Sequence, residues 1–263
     1  MDEQSFQIAR GLVFAVVLGL GVVLERTIRH AALRPAWRTN LGLWIMDAAV
    51  VGTVCGGCAC TVARFAAQRG WGLLQGFAAP PVVAILATVV ALDCLSYAWH
   101  RANHQVRFLW RFHRVHHGDQ DFNVSTALRF HPGELLLSLP IRLAAIVLLG
   151  APVAGVLAFE VVFMCANILE HGNFDLPRRA ERTLATLLVT PALHRWHHSR
   201  EVAELNTNFG TVFAVWDRIL GTFRMNDSET RVTTGVPGRE NAAFSLWATF
   251  VEPFRAVGGR ERA

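Results

Sequence analysis

Apolar and polar positions alternate along this chain in long blocks, not in the short amphipathic periods of a soluble fold. Long, mainly apolar runs cover about Phe6–Leu24, Leu41–Ala63 and Ala78–Trp99. Each reaches the ~20 residues that a helix needs to cross a ~30 Å hydrocarbon core. Beyond a polar stretch, Leu135–Leu149 and Val153–Leu169 are apolar again, split by Gly150-Ala151-Pro152. Their length and the turn residues predict a helical hairpin that crosses most of the membrane and returns. Leu184–Val189 is too short to span and is expected at the interface. Phe244, Trp247, Phe250, Val251 and Phe254 recur at helical spacing, which predicts an interfacial amphipathic helix.

The pattern therefore predicts an all-α integral-membrane bundle of about four to five membrane helices, capped by a helical region rich in histidine. Residues 1–90 are read as N-terminal transmembrane helices, 91–225 as the catalytic region and 226–263 as a tail with the interfacial helix. The first run is read as a retained span and not a signal peptide. Asp2 and Glu3 precede it where a basic region would stand, and Glu25-Arg26 follows it without a small-residue cleavage site.

Composition sharpens this picture. The hydrophobic share is 52%, above that of an ordinary soluble domain. The net charge is +5 and every basic residue is arginine, which, with the abundant Ala and Gly, points to a GC-rich bacterial genome. The arginines flank apolar runs instead of forming a basic stripe, so anionic headgroups are the expected partner and nucleic acid is not. Arg26, Arg29, Arg34 and Arg38 follow the first run, and Arg101, Arg107, Arg111 and Arg114 follow the third. By the positive-inside rule these two segments are cytoplasmic and the N-terminus lies outside. The expected location is a bacterial inner membrane with the active site on the cytoplasmic side.

Cys55, Cys58, Cys60, Cys94 and Cys165 all lie in apolar segments. Cys55-Gly-Gly-Cys58 resembles a redox motif, but beside Gly52 and Gly56 these cysteines read as small residues where helices approach closely.

The chemistry sits in the histidines. Eight of the 11 fall in three five-residue windows: His100-x-x-x-His104, His113-x-x-His116-His117 and His194-x-x-His197-His198. Even scatter would place fewer than one histidine there. Spacings of three and four put side chains on one helix face, so each window can aim two or three imidazoles at one point. Imidazole suits Fe, Zn, Cu and Ni. Eight ligands overshoot one ion and suffice for two.

The surrounding residues add a resemblance that runs from about Asp93 to Arg224. Asp93-Cys-Leu-Ser-Tyr97-Ala-Trp-His100-Arg101, Leu109-Trp110-Arg111-Phe112-His113 and Arg129-Phe130-His131-Pro132-Gly133-Glu134 form its first part. Glu170-His171-Gly172-Asn173, Thr190-Pro191-Ala192-Leu193-His194, Asn208-Phe209-Gly210 and Trp216-Asp217-Arg218 complete it. Together they resemble the fatty acid hydroxylase/sterol desaturase family of membrane di-iron enzymes. That resemblance implies that His100, His104, His113, His116, His117, His194, His197 and His198 ligate two iron ions (Fe2+/Fe3+), with O2 as co-substrate.

His171 is taken as a ninth ligand, because an imidazole at the end of an apolar helix needs a partner. His131 is read as a hydrogen-bond donor behind the ligands. His30 is read as a solvated headgroup contact. Asp93, seven residues before His100 on one helix face, is expected to accept the distal N–H of a ligated imidazole. Asp47 receives no role.

A site of this kind would use O2 and external electrons to hydroxylate, or desaturate, a lipid C–H bond. No dinucleotide fingerprint, flavin motif or haem attachment sequence is visible, so the electron donor is expected to be a small redox carrier with its reductase, or a pterin. Two competing readings are a zinc-dependent membrane hydrolase and a non-catalytic metal-binding protein. The first wants about three ligands and a general base, and H-E-x-x-H is missing. The second, as a transporter, predicts ligands near the membrane midplane.

Overall fold

A computed structural model describes residues 3–28, 36–55, 58–225, 232–239 and 245–256. Helix α1 spans Glu3–Thr27, α2 Trp37–Cys55, α3 Cys58–Gln68 and α4 Leu73–Gly76. The long α5 spans Pro81–Gln105 and α6 spans Arg107–His117. After a 3₁₀ turn at Val124–Leu128 come α7 (Pro132–Leu149) and α8 (Val153–Glu170). Short helices α9 (Arg178–Leu184), α10 (Pro191–His197), α11 (Val202–Leu205) and α12 (Val215–Ile219) follow, then α13 (Leu246–Phe250) and a 3₁₀ turn at Glu252–Phe254. Among the described residues no strand forms; Leu188 with Phe213 and Ser199 with Thr234 make isolated bridges.

Four helices are long and apolar enough to cross a membrane: Phe6–Thr27, Pro81–Gln105, Pro132–Leu149 and Val153–Glu170. Helix α1 exposes Ile8, Leu12, Val16, Leu20 and Val23, an apolar stripe at helical spacing. Water would not tolerate such a face, whereas lipid tails would. The protein is an integral membrane protein.

Within the apolar run Leu41–Ala63 the described residues belong to α2 and α3, and residues 56 and 57 between them lie outside the described set. Gly56, His30, Arg29, Arg34 and Phe244 also lie outside it, and with them the Gly52–Gly56 approach and the headgroup role of His30. Cys58, Cys60, Cys94 and Cys165 are free thiols.

Helix α5 begins where Pro80-Pro81 allow it, since proline at the first turn lacks only an amide that would be unpaired anyway. It then runs past its apolar stretch and carries two histidines on its last turns. Its buried positions, Ala84, Thr88, Leu92, Asp93, Tyr97, His100, Asn103 and His104, form one stripe at the 3.6-residue period. The stripe packs mainly on α8, where Gly155 lets Thr88 approach; a Cβ there would lie 2.8 Å from the threonine side chain.

The α7–α8 hairpin turns at Gly150, whose φ of 68° is the left-handed conformation that favours glycine. Gly72, at φ 97°, meets it backbone to backbone: a Cβ on Gly72 would stand 2.1 Å from the Gly150 amide nitrogen. This contact pins the α3–α4 connection to the hairpin. Ala63, Leu92, Ile146, Ala151, Val156 and Phe159 fill the core between these helices.

Helices α1, α5 and α8 end, and α7 begins, at the same end of the bundle. Glu25 on α1 accepts the backbone N–H groups of Val124 and Asn173, which ties that end together. The tail helix is shorter than its spacing predicts. Pro253 removes an amide after Phe250 and the chain tightens into a 3₁₀ turn. That turn docks on α6: Arg111 Nε donates to the Pro253 carbonyl at 2.8 Å and Arg114 Nη2 to the Glu252 carbonyl at 2.7 Å. Trp247 and Phe254 stay exposed.

Candidate metal centre

The last turns of α5 bring His100 and His104 to the end of the bundle. A bend at Val106 then sends α6 back across it with His113, His116 and His117 on its buried face. Helix α10 delivers His194 and His197, with His198 as its C-terminal cap, and His171 caps α8. All nine are buried. They fall into two groups, His100, His104, His113, His117 and His197 in one, His116, His171, His194 and His198 in the other. Within each group the candidate ligand nitrogens lie within 4.8 Å of one another. Two bonds of ~2.1 Å across one ion span about 4.2 Å, so each group can close on a cation with a shift of a few tenths of an ångström. The groups adjoin, with the rings of His117 and His198 stacked at 4.2 Å.

Backbone carbonyls decide which nitrogen faces inward. His100 Nδ1 lies 2.8 Å from the Phe209 carbonyl, His197 Nδ1 2.7 Å from that of Thr207, and His171 Nδ1 2.6 Å from that of Asn167. His116 Nδ1 lies 3.2 Å from the Arg129 carbonyl. A carbonyl only accepts, so each of these Nδ1 atoms carries the proton and leaves an Nε2 lone pair. Those lone pairs converge: His171 Nε2 is 3.1 Å from His116 Nε2 and 3.0 Å from His194 Nε2. Among the described residues, the buried Nε2 atoms of His100, His104, His197 and His198 have no hydrogen-bond partner. Lone pairs facing one another away from water are costly unless a cation sits among them. The donor set therefore fits metal ions.

Electrostatics agree. Burial, followed by repulsion from neighbouring imidazoles, pushes His116, His117, His194 and His198 well below the ordinary histidine value. Burial above all pushes His171 and His197 down to about 3. These six imidazoles are neutral near pH 7, the protonation state that ligates metals.

Carboxylates back the rings, although not the one expected. Glu134 Oε1 accepts from His113 Nδ1 at 2.9 Å and from Asn103 Nδ2 at 3.0 Å. Glu170 Oε2 lies 3.8 Å from His194 Nδ1. Asp93 is not brought to a histidine. Its oxygens accept the backbone N–H groups of Val212 and Phe213 and the indole N–H of Trp216 at 2.7 Å. Seven residues is two turns, so Asp93 does share a side of α5 with His100, but 10 Å of rise separates them, at about 1.5 Å per residue. His131 does not join either group. Its Nδ1 accepts the Gly133 amide as the N-cap of α7, and its Nε2 lies 3.1 Å from the Phe250 carbonyl.

Asp93 and Asp217 instead shape the loop that supplies carbonyls to the cluster. Asp217 accepts the amides of Phe209 and Gly210 at 2.7 and 2.8 Å and the Thr222 hydroxyl at 2.7 Å. Asn208 takes a left-handed φ of 53° and secures it through side-chain hydrogen bonds to Arg224. These roles, like those of Glu134 and Glu170, depend on partners far along the chain, and no spacing in the sequence announces them.

A cavity of about 710 Å³ opens beneath the cluster and runs into the membrane-spanning bundle. His100, His113, His116, His171 and His194 form its end wall, and Leu92, Leu95, Phe159 and Phe163 line its sides. It is mostly apolar, as a lipid tail requires.

Comparison with known proteins agrees with this site. A fatty acid hydroxylase family model matches residues 85–222, a stretch that contains all nine clustered histidines. The chain is 33% identical over 184 residues to ornithine lipid hydroxylase OlsE of Rhizobium tropici, covering 69% of this chain and 54% of that protein. It is 30% identical over 172 residues to alkylglycerol monooxygenase of Homo sapiens, covering 61% and 37% respectively. To cholesterol 25-hydroxylase of Rattus norvegicus it is 28% identical over 153 residues, covering 57% and 50%. The chain thus spans about half or less of the length of these relatives. No solved structure matches it. Since the family model covers just over half of the chain and encloses the whole histidine cluster, the chain belongs to the fatty acid hydroxylase family.

Proposed function

We propose that this protein is an O2-dependent lipid hydroxylase with two iron ions in its histidine cluster, working on a lipid drawn from the membrane. The observation that carries the reading is the two adjoining groups of buried imidazoles at the end of an apolar cavity within a membrane bundle. His100, His104, His113, His117 and His197 would hold one ion, and His116, His171, His194 and His198 the other. When bound, the irons would supply O2 activation and removal of hydrogen from an unactivated C–H bond. One oxygen atom enters that bond and the other leaves as water, so two electrons and two protons must come from outside the chain.

The protein's own residues do the rest. Carbonyls of Arg129, Asn167, Thr207 and Phe209 and the carboxylate of Glu134 fix the ring orientations, as partners behind metal-bound histidines do. The apolar wall holds a chain against the cluster and excludes water. Electrons are assigned to a small redox carrier with its reductase, or to a pterin. The arginine pattern supports a cytoplasmic cluster in a bacterial inner membrane. Residues 91–225 are taken as the catalytic region, preceded by transmembrane helices and followed by the tail.

Hydroxylation is preferred to desaturation because the relatives are named as hydroxylases and monooxygenases. A zinc hydrolase is disfavoured, since nine convergent imidazoles in two groups overshoot a three-ligand site. The test is expression in a lipid-producing host under labelled 18-O2, with lipid extracts compared by mass spectrometry against His113→Ala. One labelled oxygen in a lipid made only by the wild type supports hydroxylation. Loss of two hydrogens without label supports desaturation. Neither change in metal-replete protein supplied with a competent reductase overturns the reading.

A further inference from the structure

Resting on the reading of the cavity as a lipid site, we propose that Arg142, with the Arg10–Glu160 pair, forms a subsite for the anionic head of that lipid. The cavity carries charge at a second place, far from the histidines. Arg10 on α1, Arg142 on α7 and Glu160 on α8 all line it, inside helices long enough to span the membrane. Arg10 Nη1 donates to Glu160 Oε2 at 2.8 Å, which satisfies that pair. Arg142 makes no hydrogen bond among the described residues, and its guanidinium lies 5.8 Å from the Phe159 ring centroid.

Glu160 is shared, hydrogen-bonded to Arg10 and in electrostatic reach of Arg142, so two arginines face one glutamate and this end of the cavity keeps one positive charge in excess. Such a charge is expensive in a membrane and marks a binding function more often than a structural one. The Arg10–Glu160 pair could hold α1 to α8 unaided, so packing alone does not account for Arg142. A guanidinium fork matches carboxylate or phosphate oxygens. Of the other acids that line the cavity, Glu134 and Glu170 stand against the histidines and Asp47 faces Glu134.

The separation sets where the lipid is oxidised. Glu160 precedes Glu170 by ten residues of α8, about 15 Å of helix rise, and Arg142 follows Glu134 by eight residues of α7, about 12 Å. Glu170 and Glu134 stand against the histidines. An anionic head at Arg142 therefore presents a point far down its hydrocarbon chain to the cluster, not the head itself.

The full-length protein in detergent micelles provides the test, by displacement of a fluorescent fatty acid with palmitate, lysophosphatidate and methyl palmitate. Wild-type protein should bind one or both anionic lipids at least about tenfold more tightly than the ester, and whichever is tighter identifies carboxylate or phosphate as the preferred head. Arg142→Gln should weaken the anionic lipids about ten- to a hundredfold and leave the ester unchanged, with Arg142→Lys recovering part of the loss. Unchanged anion binding in Arg142→Gln of normal melting temperature overturns the subsite, as does an ester that binds equally well. Displacement of the probe by inorganic phosphate alone also overturns it, by assigning a free-anion site. These measurements need no turnover, so absence of hydroxylation sinks the enzymatic reading alone. In active protein, fragmentation of the labelled product should place oxygen on the chain, and label on the headgroup overturns the orientation.

Discussion

The Nε2 atoms of His171 and His116 lie 3.1 Å apart, although 55 residues separate them in sequence. Each ring donates its Nδ1 proton to a backbone carbonyl, so two lone pairs face each other in a buried space. A shared cation resolves that repulsion. His171→Ala should lower bound metal from about two atoms per chain toward one and abolish activity, whereas His131→Ala, which removes a helix cap, should keep both metals. Elemental analysis of protein purified without added metal checks this. Full metal in His171→Ala would exclude it as a ligand.

Glu134 orients His113 and, through the same oxygen, Asn103. Glu134→Gln keeps the shape but removes the charge that makes the imidazole a better donor to metal. Metal affinity should fall roughly 10–100-fold, measured by competition with a chromophoric chelator. Equal affinity in the two proteins would show that the carboxylate only fills space.

Asp217 accepts three hydrogen bonds at 1% exposure and holds the loop whose carbonyls face His100 and His197. Asp217→Ala leaves two amides and a hydroxyl without their acceptor. We expect a loss of about 2–4 kcal/mol in stability together with weaker metal binding. Thermal unfolding in detergent, with and without metal, measures both. A melting temperature matching the wild type would remove Asp217 from this role.

Acid should destabilise the metal-free protein. His171 and His197 bind protons only near pH 3 when folded, but near 6.5 when unfolded. Between those values the unfolded chain holds more protons, so stability rises with pH and is lost as pH falls below about 6.5. Each such histidine contributes about 1.4 kcal/mol per pH unit inside that window. His116, His117, His194 and His198 shift in the same direction and steepen the slope. Melting temperatures of metal-stripped protein should fall from neutral pH to pH 5, and a flat profile would contradict neutral buried imidazoles.

Membrane orientation can be read with reporter fusions. Glu25 anchors the C-terminal end of α1 beside the histidines, so the start of α1 lies at the opposite end of the bundle. Fusions should report the N-terminus outside and the segment after Arg101 inside. A cytoplasmic N-terminus would reverse the assigned side of the cluster.

Much of this protein was legible from local pattern. Long apolar blocks, Gly150-Ala151-Pro152 between two of them, and histidines spaced by three and four depend only on helix geometry and the solvent around it. They therefore announce spans, a hairpin and three imidazole faces without knowledge of any neighbour. The division of nine histidines into groups of five and four, in which α6 serves both and α8 adds His171, was not legible. Asp93 shows why. Its spacing from His100 suggested a direct contact, yet it holds a loop more than 100 residues away through Val212, Phe213 and Trp216. A carboxylate's partner is set by which chain passes within 3 Å of it, and only tertiary packing decides that.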